Sequence, residues 1–279
     1  MENMIKPGSL AVSFFRQLHE SGEDFIFAPE ASRRVGAAAG RPAEAVPAGR
    51  GADGSPHPPA PESAGAAAPL PQAGTLSAPG EPLEEFGRRI SGCTLCRLSQ
   101  SRNNFVFGAG CATADLMFVG EGPGFEEDRQ GLPFVGASGQ LLTRIIASIG
   151  FTREEVYIGN LVKCRPPRNR DPEPDEISTC VPYLLAQIEK IEPKVLVTLG
   201  RFSACYFHGR EAALKHLRGL VSDFRGVRVV STYHPAALLR NQSLKRDTWE
   251  DMLLARRLYE ELGGKPSSGR VFVPAQDKK

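Results

Sequence analysis

Between residues 83 and 262, short and almost purely apolar runs alternate with longer stretches of helical periodicity, and this alternation limits the fold more than any other feature of the chain. The apolar runs are "DLMFVG" (115–120), "EVYIGN" (155–160), "KVLVTLG" (194–200) and "VRVVSTYHP" (227–235). Helical patterns lie between and around them, in "SGQLLTRIIASIG" (138–150), "PDEISTCVPYLLAQIEKI" (174–191), the segment after Gly200 and "RDTWEDMLLARRLYEEL" (246–262). Upstream, "LEEFGRRISGCTLC" predicts a short helix ending at Gly92 and then a Cys-x-x-Cys turn. Strands that alternate with helices form a mainly parallel sheet covered on both faces. The expected fold is therefore α/β, a three-layer α/β/α sandwich around a central, mainly parallel four-stranded sheet. In such sheets the ligand crevice opens beyond the carboxyl ends of the strands. That directs attention to "GEGPG" (120–124), "GNLVKCRPPRNR" (159–170), "LGR" (199–201) and "YHPAALLR" (233–240).

The rest of the chain reads differently. Residues 31–82 are mostly Ala, Pro and Gly with scarcely a large apolar side chain, so they bury too little surface to offset the entropy of ordering and are expected to be a disordered linker. Before them, Leu10, Phe14, Leu18 and Phe25 recur at roughly helical spacing, which predicts an amphipathic helix within residues 1–30. Docking onto the chain itself is the simpler role for that helix, and a protein partner the alternative. Residues 266–279 are expected to be a flexible tail, leaving 83–265 as the folded domain. No apolar run approaches the roughly 20 residues that cross a bilayer. The segment "MENMIKPGSLAVSFF" is not followed by a small-residue cleavage site, so a cytoplasmic protein is expected. A formal charge of +2 is weakly basic, and any contact with nucleic acid has to come from local clusters of charge.

Six cysteines in a long chain of this kind favour metal ligation or burial over disulfides. Cys93 and Cys96 form a short pair, whereas fifteen residues separate Cys164 from Cys180. A zinc ribbon usually presents two short knuckles, so the wide second pair argues against zinc. Four thiolates also suit an iron–sulfur cluster. "GEGPG" is glycine-rich and follows a strand, but it has neither the Gly-Lys-Ser/Thr of a phosphate-binding loop nor the spacing of a dinucleotide fingerprint.

Taken in order, "GEGPGFEEDRQGLPFVGASGQLL", "VYIGNLVKCRPPRNRDPEPDEISTC", "PKVLVTLGR" and "HPAALLR", with the Cys-x-x-Cys upstream, closely resemble the family 4, iron–sulfur type of uracil-DNA glycosylase. The resemblance spans about residues 84–262. It implies a base excision repair enzyme that flips uracil from single- or double-stranded DNA into a pocket and hydrolyses its N-glycosidic bond, leaving an abasic site. It implies a [4Fe–4S] cluster on Cys93, Cys96, Cys164 and Cys180, leaving Cys111 and Cys205 as buried thiols. A monomer associated with the nucleoid is expected, and, with no side chain placed as a Schiff-base nucleophile, no cut of the DNA strand.

The resemblance assigns the uracil site to Glu121, Gly122, Pro123, Phe134, Asn160 and His234. Phe134 corresponds to the family's stacking aromatic. The amide of Asn160 matches uracil O4 and N3–H, where cytosine presents the reversed pattern. His234 is placed to donate to O2 as charge builds on the leaving base. Better-known members of the superfamily carry a water-positioning aspartate where this chain has Gly122, so the catalytic set is read as Glu121, His234 and Asn169, with Glu127 a further candidate for the water. Arg165, Arg168, Arg170, Arg240 and Lys245 are expected to contact phosphates, and Leu238 or Leu239 to wedge into the gap left by the flipped base. The alternative is a non-catalytic DNA- or polymerase-associated module that keeps the same fold.

Overall fold

The computed structural model describes residues 80–265. The expected N-terminal helix, nearly all of the linker and the tail lie outside the described residues. Each apolar run forms a strand: β2 (Leu116–Gly120), β3 (Tyr157–Asn160), β4 (Val195–Leu199) and β6 (Val227–Thr232). These four pair in parallel in the order β3-β2-β4-β6. Their register sets Gly120 beside Asn160 and Leu199 beside Thr232, so the carboxyl ends finish at one level.

The expected four strands are the centre of a six-stranded sheet. At one edge β1 (Ala109–Gly110) runs antiparallel to β3, and at the other β5 (Val221–Phe224) runs antiparallel to β6. Neither is visible as an apolar run. β1 is two residues long, and β5 alternates exposed with half-buried positions, as an edge strand with one wet face does. Arg225 and Gly226 close the β5–β6 hairpin, both at positive φ, as a tight two-residue turn requires.

The four inner strands are apolar throughout because successive side chains serve opposite cores. Leu116 and Phe118 of β2 pack on one face and Met117 and Val119 on the other. The first face is covered by α3 (Ala137–Ser148), α6 (Pro235–Arg240) and α7 (Leu244–Glu261), through Leu141, Ile145, Leu238, Trp249 and Met252. The second is covered by α4 (Pro174–Ile191) and α5 (Arg201–His208), through Leu184, Ile188 and Phe207. A smaller cluster joins α1 (Leu83–Ile90) to α4 through Phe86, Tyr183 and Ala186 and includes Cys164 and Cys180. Helix α4 begins as its sequence predicts: Pro174 takes the first turn and Glu176 reaches back to the Glu173 backbone N–H at 2.8 Å.

Two expectations are corrected here. Leu238 is fully buried beneath α6, so it is a core residue and no DNA wedge; Leu239, 39% exposed, is the one that faces out. Lys245 is buried at the start of α7 and offers nothing to a phosphate. Leu238→Ala is expected to cost about 2–5 kcal/mol in urea unfolding, whereas Leu239→Ala stays within about 0.5 kcal/mol. Equal losses for the two would contradict this assignment.

Candidate active site

At the carboxyl ends of β2 and β3 and the loop after β6, a cavity of about 420 Å³ opens to solvent. Glu121, Gly122, Pro123, Phe134, Asn160, Asn169, Arg170, His234 and Arg240 all line it, together with Asp171. Segments more than a hundred residues apart are thus brought to one place by the sheet register.

Phe134 and Asn160 meet on its inner wall. Gly120 makes this possible, since a Cβ there would stand 2.5 Å from Asn160 Oδ1 and 2.6 Å from Phe134 Cζ. Asn160 is buried and its Oδ1 accepts no hydrogen bond, although a buried acceptor is normally paired. Phe134 adopts a left-handed backbone, φ 52°, which is unfavourable for a bulky side chain and must be imposed from outside. A carboxylate imposes it and a glycine leaves room for it. Glu127, the third residue of α2 (Phe125–Gln130), accepts from the Val135 and Gly136 N–H groups at 2.9 and 3.0 Å with one oxygen and from the Gly124 N–H at 3.2 Å with the other. At position 139 any Cβ would run into the Phe134 carbonyl. Glu127 is therefore committed to three amides, and the clamp it forms joins the glycine-rich loop to the loop carrying Phe134.

His234 caps α6. Its Nδ1 accepts from the Ala236 N–H at 3.1 Å, which puts the proton of the neutral ring on Nε2. Burial, helped by Arg240, pushes its pKa down to about 4, so the ring is neutral at physiological pH. The ring lies 5.5 Å from that of Phe134, tilted by 33°. Glu121 behaves in the opposite way: burial first, and then the Asp171 carboxylate, raise its pKa to about 7. Among the described residues none donates a hydrogen bond to its carboxylate. Asp171 is a residue of the site that sequence reasoning misses, because nothing in the local sequence marks it as a neighbour of Glu121.

The arginine loop divides. Arg170 is held by Glu176 through two bonds of 2.6 and 2.8 Å and acts as a strut to a buried carboxylate, which it keeps below the usual carboxylate range; this corrects the expectation that it is a phosphate ligand. Arg165 donates to Asn169 Oδ1 at 2.6 Å and lies 5.1 Å from the Phe125 ring centroid. Arg168 and Arg240 are exposed.

Cys93, Cys96, Cys164 and Cys180 wall one small cavity together with Arg102, Phe105 and Tyr183. Three of the sulfurs receive a donor: Arg102 Nη1 to Cys164 at 3.0 Å, the Lys163 N–H to Cys180 at 3.3 Å and the Tyr183 hydroxyl to Cys93 at 3.3 Å. Among the described residues no three Cys, His, Asp or Glu side chains converge tightly enough to hold a metal ion. Lys163 ties this centre to the pocket. Its buried ammonium donates to the Asn160 carbonyl at 3.0 Å and to Gln187 Oε1 at 2.6 Å. Of the other two cysteines, Cys111 and Cys205 are half-buried.

A family profile described as the uracil DNA glycosylase superfamily matches residues 107–255. A type-4 uracil-DNA glycosylase of Archaeoglobus fulgidus is 44% identical over 179 residues, 61% of this chain and 90% of that protein. One of Thermotoga maritima is 44% identical over 187 residues, 66% of this chain and 97% of that protein. One of Sulfurisphaera tokodaii is 45% identical over 185 residues, 63% and 84% of the two chains.

Proposed function

The chain belongs to the uracil-DNA glycosylase superfamily, and from that premise we propose how its pocket carries out the excision of uracil from DNA. The enzyme is a uracil-DNA glycosylase, a hydrolase of N-glycosyl bonds that serves DNA repair. The roles of single residues, the cluster and the grip on DNA are our reading of the geometry. The observation that carries that reading is the orphaned Oδ1 of Asn160.

A base inside the stack is out of reach, so uracil has to be turned out into the cavity. There the Phe134 ring offers a stacking face. Asn160 Oδ1 takes the uracil N3–H as its missing partner, and the same amide donates to O4. Cytosine has no proton at N3 and an amino group in place of O4, so it leaves both halves of a buried amide unpaired. Sites that depend on such bonds reject mismatched substrates strongly.

As the glycosidic bond lengthens, negative charge collects on the base. His234 is neutral with its proton on Nε2, so it donates a hydrogen bond to O2 and stabilises the anion without giving up the proton. Water has to reach the positive sugar from the other side. Of the three candidates, Glu127 is spent on backbone amides and Asn169 accepts from Arg165, which leaves Glu121 to hold it. Its carboxylate form also offsets the charge of the oxocarbenium-like sugar. Gly122 contributes no carboxylate. Among the described residues that line the cavity there is no lysine to form a Schiff base, so the product is an abasic site in an uncut strand. A module that only bound DNA would have no use for a neutral histidine beside an unpaired amide.

The four cysteines suit a [4Fe–4S] cluster: the donor set is all sulfur, the thiols surround a space rather than a point, and three sulfurs already receive donors of the kind that support metal-bound thiolates. Bound there, the cluster would cross-link residues 93–96 to both ends of 164–180. Arg165, Arg168 and Arg240 would meet the phosphates of single- or double-stranded DNA, with Leu239 as the wedge, and the enzyme acts as a monomer on the nucleoid.

Three outcomes are expected. Asn160→Ala lowers kcat/KM for uracil release at least about a hundredfold while the domain stays folded; near-normal release would remove Asn160 from the site. The kcat/KM profile rises with pH through about 7 as Glu121 ionises, and Glu121→Gln abolishes that limb, while His234, titrating near 4, adds none above pH 5. A limb that survives in Glu121→Gln assigns it elsewhere. Purified protein contains iron and acid-labile sulfide in equal amounts, both lost in Cys164→Ser; zinc without sulfide would refute the cluster.

A further inference from the structure

We infer that Phe125 is a second nucleobase site, which stacks the base next to the flipped uracil on the same strand. The inference rests on the glycosylase reading of the pocket and extends it to the DNA around the lesion.

Among the described residues, Phe125 is the only aromatic in the set of exposed large hydrophobic side chains, with 54% of its surface open. Its place is specific. It follows directly on Gly124, which lines the uracil cavity, and it opens α2, the helix whose Glu127 clamps the pocket loops. Clamping fixes the backbone beneath the ring, so the aromatic surface is held next to the cavity-lining Gly124 at little entropic cost. The Arg165 guanidinium stands 5.1 Å from the ring centroid and is itself tethered to Asn169, which lines the same cavity.

This pairing has the chemistry of a single-strand binding platform. An aromatic face accepts any base, because every base has a π-face, and a neighbouring cation meets the phosphate. Flipping the uracil breaks the stack on both of its sides, and the base left beside the gap loses a partner. A ring fixed next to the pocket replaces that partner. Leu239, near the end of α6 and 39% exposed, is aliphatic and can fill space but gives no comparable π-face. The simpler reading of Phe125 is that its ring only props Arg165 and the loop of residues 165–169. The two readings differ in one respect: only stacking depends on what the DNA carries beside the uracil.

A cycle of two changes separates them. Wild type and Phe125→Ala are compared on single-stranded oligonucleotides in which the uracil has either a normal base or an abasic spacer on its 5′ or its 3′ side. With normal neighbours, Phe125→Ala is expected to lower kcat/KM about five- to a hundredfold, the span of base–aromatic stacking, chiefly through KM. With the spacer on the side that stacks, wild type falls by a similar factor and Phe125→Ala falls no further. Phe125→Trp keeps the wild-type values. The same loss on every oligonucleotide would show that the ring only supports its loop, and no loss on any would show that it does not touch DNA; either overturns the inference. Dissociation constants for the same pairs of protein and oligonucleotide read the stacking without turnover. A wild type that releases no uracil would therefore refute the excision pathway alone, while these constants still decide the role of Phe125.

Discussion

A sheet buried on both faces can present polar chemistry only at its ends. The four parallel strands give the apolar side chains between Leu116 and Val119, and between Val195 and Leu199, to one core or the other, and the one polar side chain among them, Thr198, is buried and bonded to Ser231. A polar group in the middle of such a strand has to be paired inside the protein, as Thr198 is with Ser231, and is then closed to a substrate. The pocket therefore gathers where the strands stop, and the common level of those stops, set by the pairing of Gly120 with Asn160 and of Leu199 with Thr232, gives it a floor.

Loops at strand ends are mobile unless something holds them, and here the holding groups are charged or polar side chains that have left the surface. Glu127 binds three amides from two loops and forces the backbone of Phe134 into a conformation it would not otherwise adopt. Lys163 does the same from the other side, holding the Asn160 carbonyl and, through its own backbone N–H, the Cys180 sulfur. Burying a carboxylate and an ammonium is costly, and it is tolerated because each is bonded several times over. The result is a rigid frame around two groups left unpaired, the Asn160 acceptor and the Glu121 carboxylate, which are the groups that need a substrate or a water.

The cysteine-walled centre lies behind this frame and does not touch the cavity. Its influence runs through the chain: Cys164 follows Lys163 and lies four positions after Asn160. Stiff prolines, the Arg170–Glu176 strut and the bonds to sulfur limit the freedom of the loop between Cys164 and Cys180. The polar sequence of this loop is thus suited to facing DNA while its two ends are held in a core.

The sequence by itself determined the α/β class, the four inner strands, the start of helix 174–191 and the loops that form the cavity, because apolar periodicity and strand-end logic are local and survive in one dimension. Its ordered motifs also marked Phe134, Asn160 and His234, and those residues do line one cavity. The remainder depends on contacts between segments far apart in the chain. Leu238 and Leu239 are neighbours with the same chemistry, and which of them enters the core depends on how α6 meets α3 and α7. Arg165 and Arg170 look equally free as text, but a buried Glu176 claims one of them. The short edge strands bury too little to show as apolar runs. The protonation of Glu121 and His234 follows from burial and from charges brought near by folding, at Asp171 and Arg240, and a linear sequence contains neither of those distances.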